Sequence, residues 1–83
     1  MKNKNLKEYI LQNVQLSNIY LKGDNNHIHI IAIGDIFIGM KNIQKQQIIY
    51  KPLTKYIIKK KIHSVTIDTF TNQEWKKKRK SFL

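Results

Sequence analysis

Three histidines, His27, His29 and His63, are the side chains of this chain with the strongest transition-metal ligand chemistry. His63 stands at the mouth of a predicted strand, next to the run Lys59-Lys60-Lys61. Residue type and context leave two readings of it open. One is an imidazole hydrogen-bonded at a strand start, the commoner fate of a single histidine; the other is a metal ligand. The carboxylates are Glu8, Asp24, Asp35, Asp68 and Glu74, and no two have the spacing of a general acid/base couple or a carboxylate metal site. Ser17, Ser64 and Ser81 lack a nucleophile context, and Gly34 with Gly39 does not form a phosphate-cradling loop. There is no cysteine, which excludes a disulfide framework, a thiolate zinc site, a thiol nucleophile and an iron–sulfur cluster held by the chain's own thiolates. The chain is therefore expected not to be an enzyme.

Its 83 residues make one small domain, expected to run over 1–83, and 41% hydrophobic residues suffice for a core. Lys and Arg number 16 against 5 Asp and Glu, a formal net charge of +11. Such a charge suggests an acidic partner, nucleic acid first. Composition supplies a rival cause. Fifteen of the basic residues are Lys and only Arg79 is Arg, while 15 residues are Ile and 8 are Asn. Lys, Ile and Asn are residues of A/T-rich codons, and readers of bases and phosphates favour the planar Arg fork. Drift in an A/T-biased bacterial genome is the favoured reading over a selected nucleic-acid surface. The longest apolar stretch, 28–40, holds His29 and Asp35 and falls short of the roughly 20 residues of a spanning helix. Lys7, Glu8, Gln12 and Asn13 interrupt any signal-peptide core. A soluble, cytoplasmic protein without a membrane partner is expected.

Leu6, Tyr9, Ile10 and Val14 form the apolar stripe of an amphipathic helix over 3–15. Residues 17–22 predict a strand with Ile19 and Leu21 on one face, 23–26 a turn, and 27–33 a β-branched second strand, together a hairpin. A loop over 34–39 precedes a helix over 41–50. Pro52 opens a second helical segment with Leu53, Tyr56 and Ile57 as its stripe, the break falling at Lys51 because a residue before proline avoids the helical region. Residues 64–69 alternate as a third strand. Thr71 to Glu74 has the Thr-x-x-Glu spacing of a capping box, and Phe70 with Trp75 that of a hydrophobic staple, so a terminal helix starts at Thr71. The order is α-β-β-α-α-β-α. A helix-containing connection between the second and third strands suits parallel neighbours. The expected fold class is α+β, a three-stranded mixed sheet with helices packed on it. Phe37, Tyr50 and Trp75 are read as core or staple residues.

In sequence order, Gly23-Asp24 with His27, the segment Ile33-Gly34-Asp35-Ile36-Phe37-Ile38-Gly39-Met40, Lys45-Gln46-Gln47-Ile48-Ile49-Tyr50, Pro52-Leu53, Ile62-His63-Ser64-Val65 and Thr71-Asn72-Gln73-Glu74-Trp75 resemble the BolA-like family and its IbaG-type subgroup. The second is similar to the family's Phe-x-Gly segment, the third stands where many members carry Arg-His-Arg-x-Val-Tyr, and the last two match its Ile-His-Ala-Leu and Thr-Pro-x-Glu-Trp boxes. The resemblance covers nearly the whole chain and implies a class II KH-like fold. It also implies a monothiol glutaredoxin as partner and a [2Fe-2S] cluster shared with it. In that scheme the glutaredoxin and a bound glutathione supply thiolates, and this chain supplies His63 and a second ligand, here His27, with His29 in reserve. Imidazole ligation is reasonable for such a cluster and raises its potential.

Parallel neighbouring strands would bring the N-terminal ends holding His27 and His63 to the same edge, about 4.8 Å apart. Period-2 counting nevertheless puts His63 with Val65 and Ile67, and His27 opposite Ile28 and Ile30. If those apolar sets share one core, the histidines begin on opposite faces, and a shared cluster needs an irregular strand start.

The alternative is a nucleic-acid-binding transcriptional regulator. Against it, Arg-His-Arg is here Lys45-Gln46-Gln47, and Tyr50-Lys51-Pro52-Leu53 lacks the Gly-x-x-Gly of a KH clamp. Lys76 to Lys80 is read as a solvated helix end suited to the macrodipole, with weak nucleic-acid binding at most. Alone, the chain is expected to be a monomer or weak homodimer without a cofactor.

Overall fold

A computed structural model describes residues 3–24, 26–60 and 64–82, with side chains over 6–24, 26–54 and 64–81. The elements are α1 (Asn3–Asn13), β1 (Asn18–Gly23), β2 (Ile28–Ile33), a 3-10 turn (Asp35–Phe37), α2 (Asn42–Lys60), β3 (Val65–Phe70) and α3 (Asn72–Phe82). The three strands form one mixed sheet in the order β1-β2-β3. β1 runs antiparallel to β2 with Ile19 opposite Ala32, and β3 runs parallel to β2 with Ile28 beside Val65. The expected α+β architecture is the observed one.

Alternation along the strands divides the side chains between two cores. Ile19, Ile28, Ile30 and Ile67 face α1 and α2, packing with Leu6, Ile10, Phe37 and Ile49. Ile31 and Ile33 face the other way and lie under Trp75 of α3, with Tyr20 and Phe70 beside them. The ring centroids of Phe70 and Trp75 are 5.5 Å apart, so the staple is formed. Both halves of the capping box are made: Thr71 Oγ1 accepts from the Glu74 N–H at 3.2 Å, and Glu74 Oε1 accepts from the Thr71 N–H at 2.8 Å. Asp35 adds a third acceptor, its Oδ1 taking the Asn72 N–H at 3.1 Å. The turn after β2 thereby caps α3, and both orphan amides and dipole are satisfied.

The expected helix break at Lys51 is not observed. α2 is one helix from Asn42 to Lys60 with Pro52 inside it. A proline in a helix interior costs about 3 kcal/mol. Ile49 and Leu53 lie on either side of that cost, both fully buried against the sheet. Burial of such side chains contributes about 1.5–3 kcal/mol each, so together they outweigh the local preference of residue 51. Tyr50 is a second correction. It is 50% exposed, because the face of α2 that carries it points away from Ile49 and Leu53. The expected stripe residues Tyr56 and Ile57 have side chains outside the described set.

Candidate functional site

The turn between β1 and β2 sets the position of His27. Gly23 has φ +99°, and a Cβ there would collide with the carbonyl oxygen of His27, so only glycine fits. The same carbonyl accepts from the Asp24 N–H at 3.1 Å. Asp24 Oδ1 in turn accepts from the Asn26 N–H at 2.9 Å. This Asx turn delivers the chain to the head of β2 with the His27 ring on the α3 side of the sheet.

On that side, α3 covers the end of the sheet marked by Ile31 and Ile33. The opposite end carries His27, Ser64 and Thr66, all exposed, with His29 and Asp68 next to them half-buried. Parallel pairing sets Ser64 next to the head of β2, where its carbonyl accepts from the Ile28 N–H at 3.0 Å. Ser64 Oγ is 2.6 Å from His27 Nδ1, and Thr66 Oγ1 is 3.0 Å from His27 Nε2.

The donors assign the ring. Ser64 has one hydroxyl proton, directed at the Asn26 carbonyl 3.1 Å away. Its oxygen therefore accepts from His27, which places the ring proton on Nδ1. Nε2 is then the basic nitrogen and accepts from Thr66. One nitrogen anchored and the other basic is the arrangement second-shell partners impose on ligating histidines. His27 thus fits a role as a single donor through Nε2, once the Thr66 hydroxyl turns aside.

His29, the reserve candidate, is held differently. Its Nε2 lies 2.6 Å from Asp68 Oδ2, a cross-strand pair between β2 and β3. Sequence reading did not anticipate this pair, because parallel register and stagger bring residues 29 and 68 together. Gln46 was missed for a similar reason. Its Nε2 donates to the Ile67 carbonyl at 2.7 Å, covering part of the outer edge of β3. His63, the foremost sequence candidate, lies outside the described residues. Val65 and Ile67 do share the α1/α2 core with Ile28 and Ile30, and His27 is on the other face, as the alternation requires.

Among the described residues no three His, Cys, Asp or Glu side chains cluster to hold a metal ion. A cluster with most of its ligands from this part of the chain does not fit. One shared with a partner that brings its own thiolates does, since it asks this region for a single imidazole. No described helix is long and apolar enough to cross a membrane.

Comparison with known proteins agrees with this architecture. The family model for BolA-like proteins matches residues 7–74. A protein of Buchnera aphidicola subsp. Baizongia pistaciae is 45% identical over 73 residues, covering 88% of this chain and 92% of its own. The acid stress protein IbaG of Escherichia coli K12 is 36% identical over 80 residues, covering 96% and 95%. A BolA protein homologue from Coxiella burnetii superposes with a TM-score of 0.77 at 19% identity, over 92% of this chain and 97% of that one. No catalytic family is indicated by these matches. The chain belongs to the BolA-like family and, within it, to the IbaG-type subgroup.

Proposed function

We propose that the chain is a non-catalytic adaptor that binds a monothiol glutaredoxin and co-ligates a [2Fe-2S] cluster for iron–sulfur assembly, transfer or iron sensing. His63 and His27 are the ligands this chain contributes. The observation that carries the reading is the His27 ring, anchored through Nδ1 on Ser64, the residue that directly follows His63. Anchoring of this kind fixes the orientation of a ligating ring. With imidazoles replacing thiolates, such a cluster takes a higher potential. Membership of the BolA-like family supports the partner, and the absence of cysteine supports a shared cluster over a resident one.

The nucleic-acid alternative has no comparable observation behind it. Gln46, in the segment where many relatives carry Arg-His-Arg, is bonded to the Ile67 carbonyl. Residues 50–53 lie inside α2, so there is no loop there to clamp a phosphate backbone.

Anaerobic gel filtration with a monothiol glutaredoxin, glutathione and iron tests the adaptor reading. A coloured heterodimer is expected. A glutaredoxin homodimer that keeps all the iron while this chain elutes alone would contradict it.

A further inference from the structure

Two imidazoles, His27 and His29, stand on the α3 side of the sheet, and the chain around β3 holds each by a different chemistry. Ser64, Thr66 and Asp68 alternate with Val65 and Ile67, which turn into the α1/α2 core. Their polar ends therefore share the histidine face. His29 Nε2 lies 2.6 Å from Asp68 Oδ2. An ionised carboxylate only accepts, so His29 Nε2 carries a proton and has no lone pair to give. His27 Nε2 is the reverse case. Nδ1 directs its proton at Ser64, and Nε2 accepts the Thr66 hydroxyl at 3.0 Å.

The two bonds differ in strength. A hydrogen bond to an ionised carboxylate is about twice as strong as one between neutral groups. His27 and Thr66 are exposed, so water competes for their bond, whereas His29 and Asp68 are half-buried. A neutral hydrogen bond shifts an equilibrium by a factor of about two to ten. That keeps the Nε2 lone pair of His27 covered most of the time in the chain alone, and it is small beside a coordinate bond. Among the described residues Thr66 makes no other side-chain hydrogen bond, so its hydroxyl has no competing acceptor there.

We propose that Thr66 is a positioning residue that covers His27 Nε2 until a metal displaces its hydroxyl, and that Thr66 and Asp68 together select His27 over His29 as the imidazole this end of the sheet releases. The identity of that metal rests on the shared-cluster reading, while the covering is a property of the chain alone. Ser64 and Thr66 then act with opposite signs. Loss of the Ser64 hydroxyl frees the ring to turn and weakens the ligand. Loss of the Thr66 hydroxyl uncovers it. A purely structural threonine gives no such contrast, because valine has nearly its shape.

The probe is diethyl pyrocarbonate, which acylates the free lone pair of a neutral imidazole. It is applied to the full chain at about pH 8, where imidazoles are neutral, and read at each histidine by peptide mass spectrometry. His27 is expected to react about two- to tenfold faster in Thr66→Val than in the wild type. Thr66→Ser should match the wild type, and His29 should keep its rate in both variants. Asp68→Ala should speed His29 instead. Zn2+ titrated into the 15N-labelled chain should move the His27 ring signals at a correspondingly lower concentration in Thr66→Val. Four results would each overturn the proposal: an unchanged His27 rate in Thr66→Val, a rise at His27 and His29 together (the mark of a loosened sheet), Thr66→Ser behaving as the valine variant, or a wild type in which His29 reacts faster than His27. In the anaerobic mixture with glutaredoxin, Thr66→Val should enter the heterodimer at lower chain concentration. A faster His27 in Thr66→Val, with no heterodimer from any variant, would overturn the shared-cluster reading and leave the role of Thr66 standing.

Discussion

Ser64 Oγ lies 2.6 Å from Nδ1 of His27, across the parallel boundary between β2 and β3. The two residues are distant in sequence and meet because Ile28 and Val65 are in register. Ser64 gives its own proton to the Asn26 carbonyl, and this fixes which nitrogen of the ring carries hydrogen. A strand-end hydroxyl therefore decides the direction in which the imidazole presents its lone pair.

The ring assignment is directly measurable. Long-range proton–nitrogen spectra of the wild type are expected to show His27 as the Nδ1–H tautomer. Ser64→Ala should give a mixture of tautomers and lower metal affinity at His27 by about tenfold or more. An Nε2–H tautomer in the wild type would contradict the assignment.

The capping box has a pH signature. The Glu74 carboxyl is held below its ordinary value of 4.5, first because it accepts the Thr71 N–H, with Lys45 nearby and the Thr71 hydroxyl acting in the same direction. Desolvation, second in size to the Thr71 N–H bond, opposes them without reversing the direction. A carboxyl whose folded-state value is lowered stabilises the fold above its unfolded value, and that contribution fades as pH falls through the lowered one. Glu74→Gln should flatten the acid limb of a stability–pH curve measured below about pH 4.5, where the wild type keeps its dependence. Thr71→Ala should cost about 1 kcal/mol in urea denaturation at neutral pH, and Thr71→Ser much less. Equal acid limbs in wild type and Glu74→Gln would count against the cap.

Pro52 sits inside a helix held by its neighbours. Pro52→Ala restores an N–H opposite the Ile48 carbonyl and is expected to raise the urea midpoint, by about 1–3 kcal/mol in stability. A lowered midpoint would mean that the packing of the proline ring outweighs the missing hydrogen bond.

The strands, the hairpin turn and the start of α3 were legible in the sequence because each rests on local chemistry. Alternation marks β3, Gly23-Asp24 marks the turn, and Thr71 with Glu74 marks the cap. The continuity of α2 was not legible, since the preference at Lys51 is local while the burial of Ile49 and Leu53 that overrides it is tertiary. Tyr50 illustrates the same limit from the other side: its apolar ring suggests core, but its helix phase turns it outward. His27 was found as a candidate, yet its partners Ser64 and Thr66 come from the register of a parallel pair, which no local pattern specifies. The pairing of His29 with Asp68 and the reach of Gln46 to Ile67 have the same origin. The family resemblance supplied His63 as a ligand, whereas residue type and context alone favoured a structural imidazole.

The central claim is that imidazoles of this chain complete a cluster shared with a glutaredoxin. The most direct measurement is the visible circular dichroism of the anaerobically reconstituted heterodimer, compared among wild type, His63→Ala and His27→Ala. The account predicts a heterodimer spectrum distinct from that of the glutaredoxin homodimer, lost in His63→Ala and altered in His27→Ala while far-ultraviolet spectra show both variants folded. Spectra that are the same in all three proteins would contradict it.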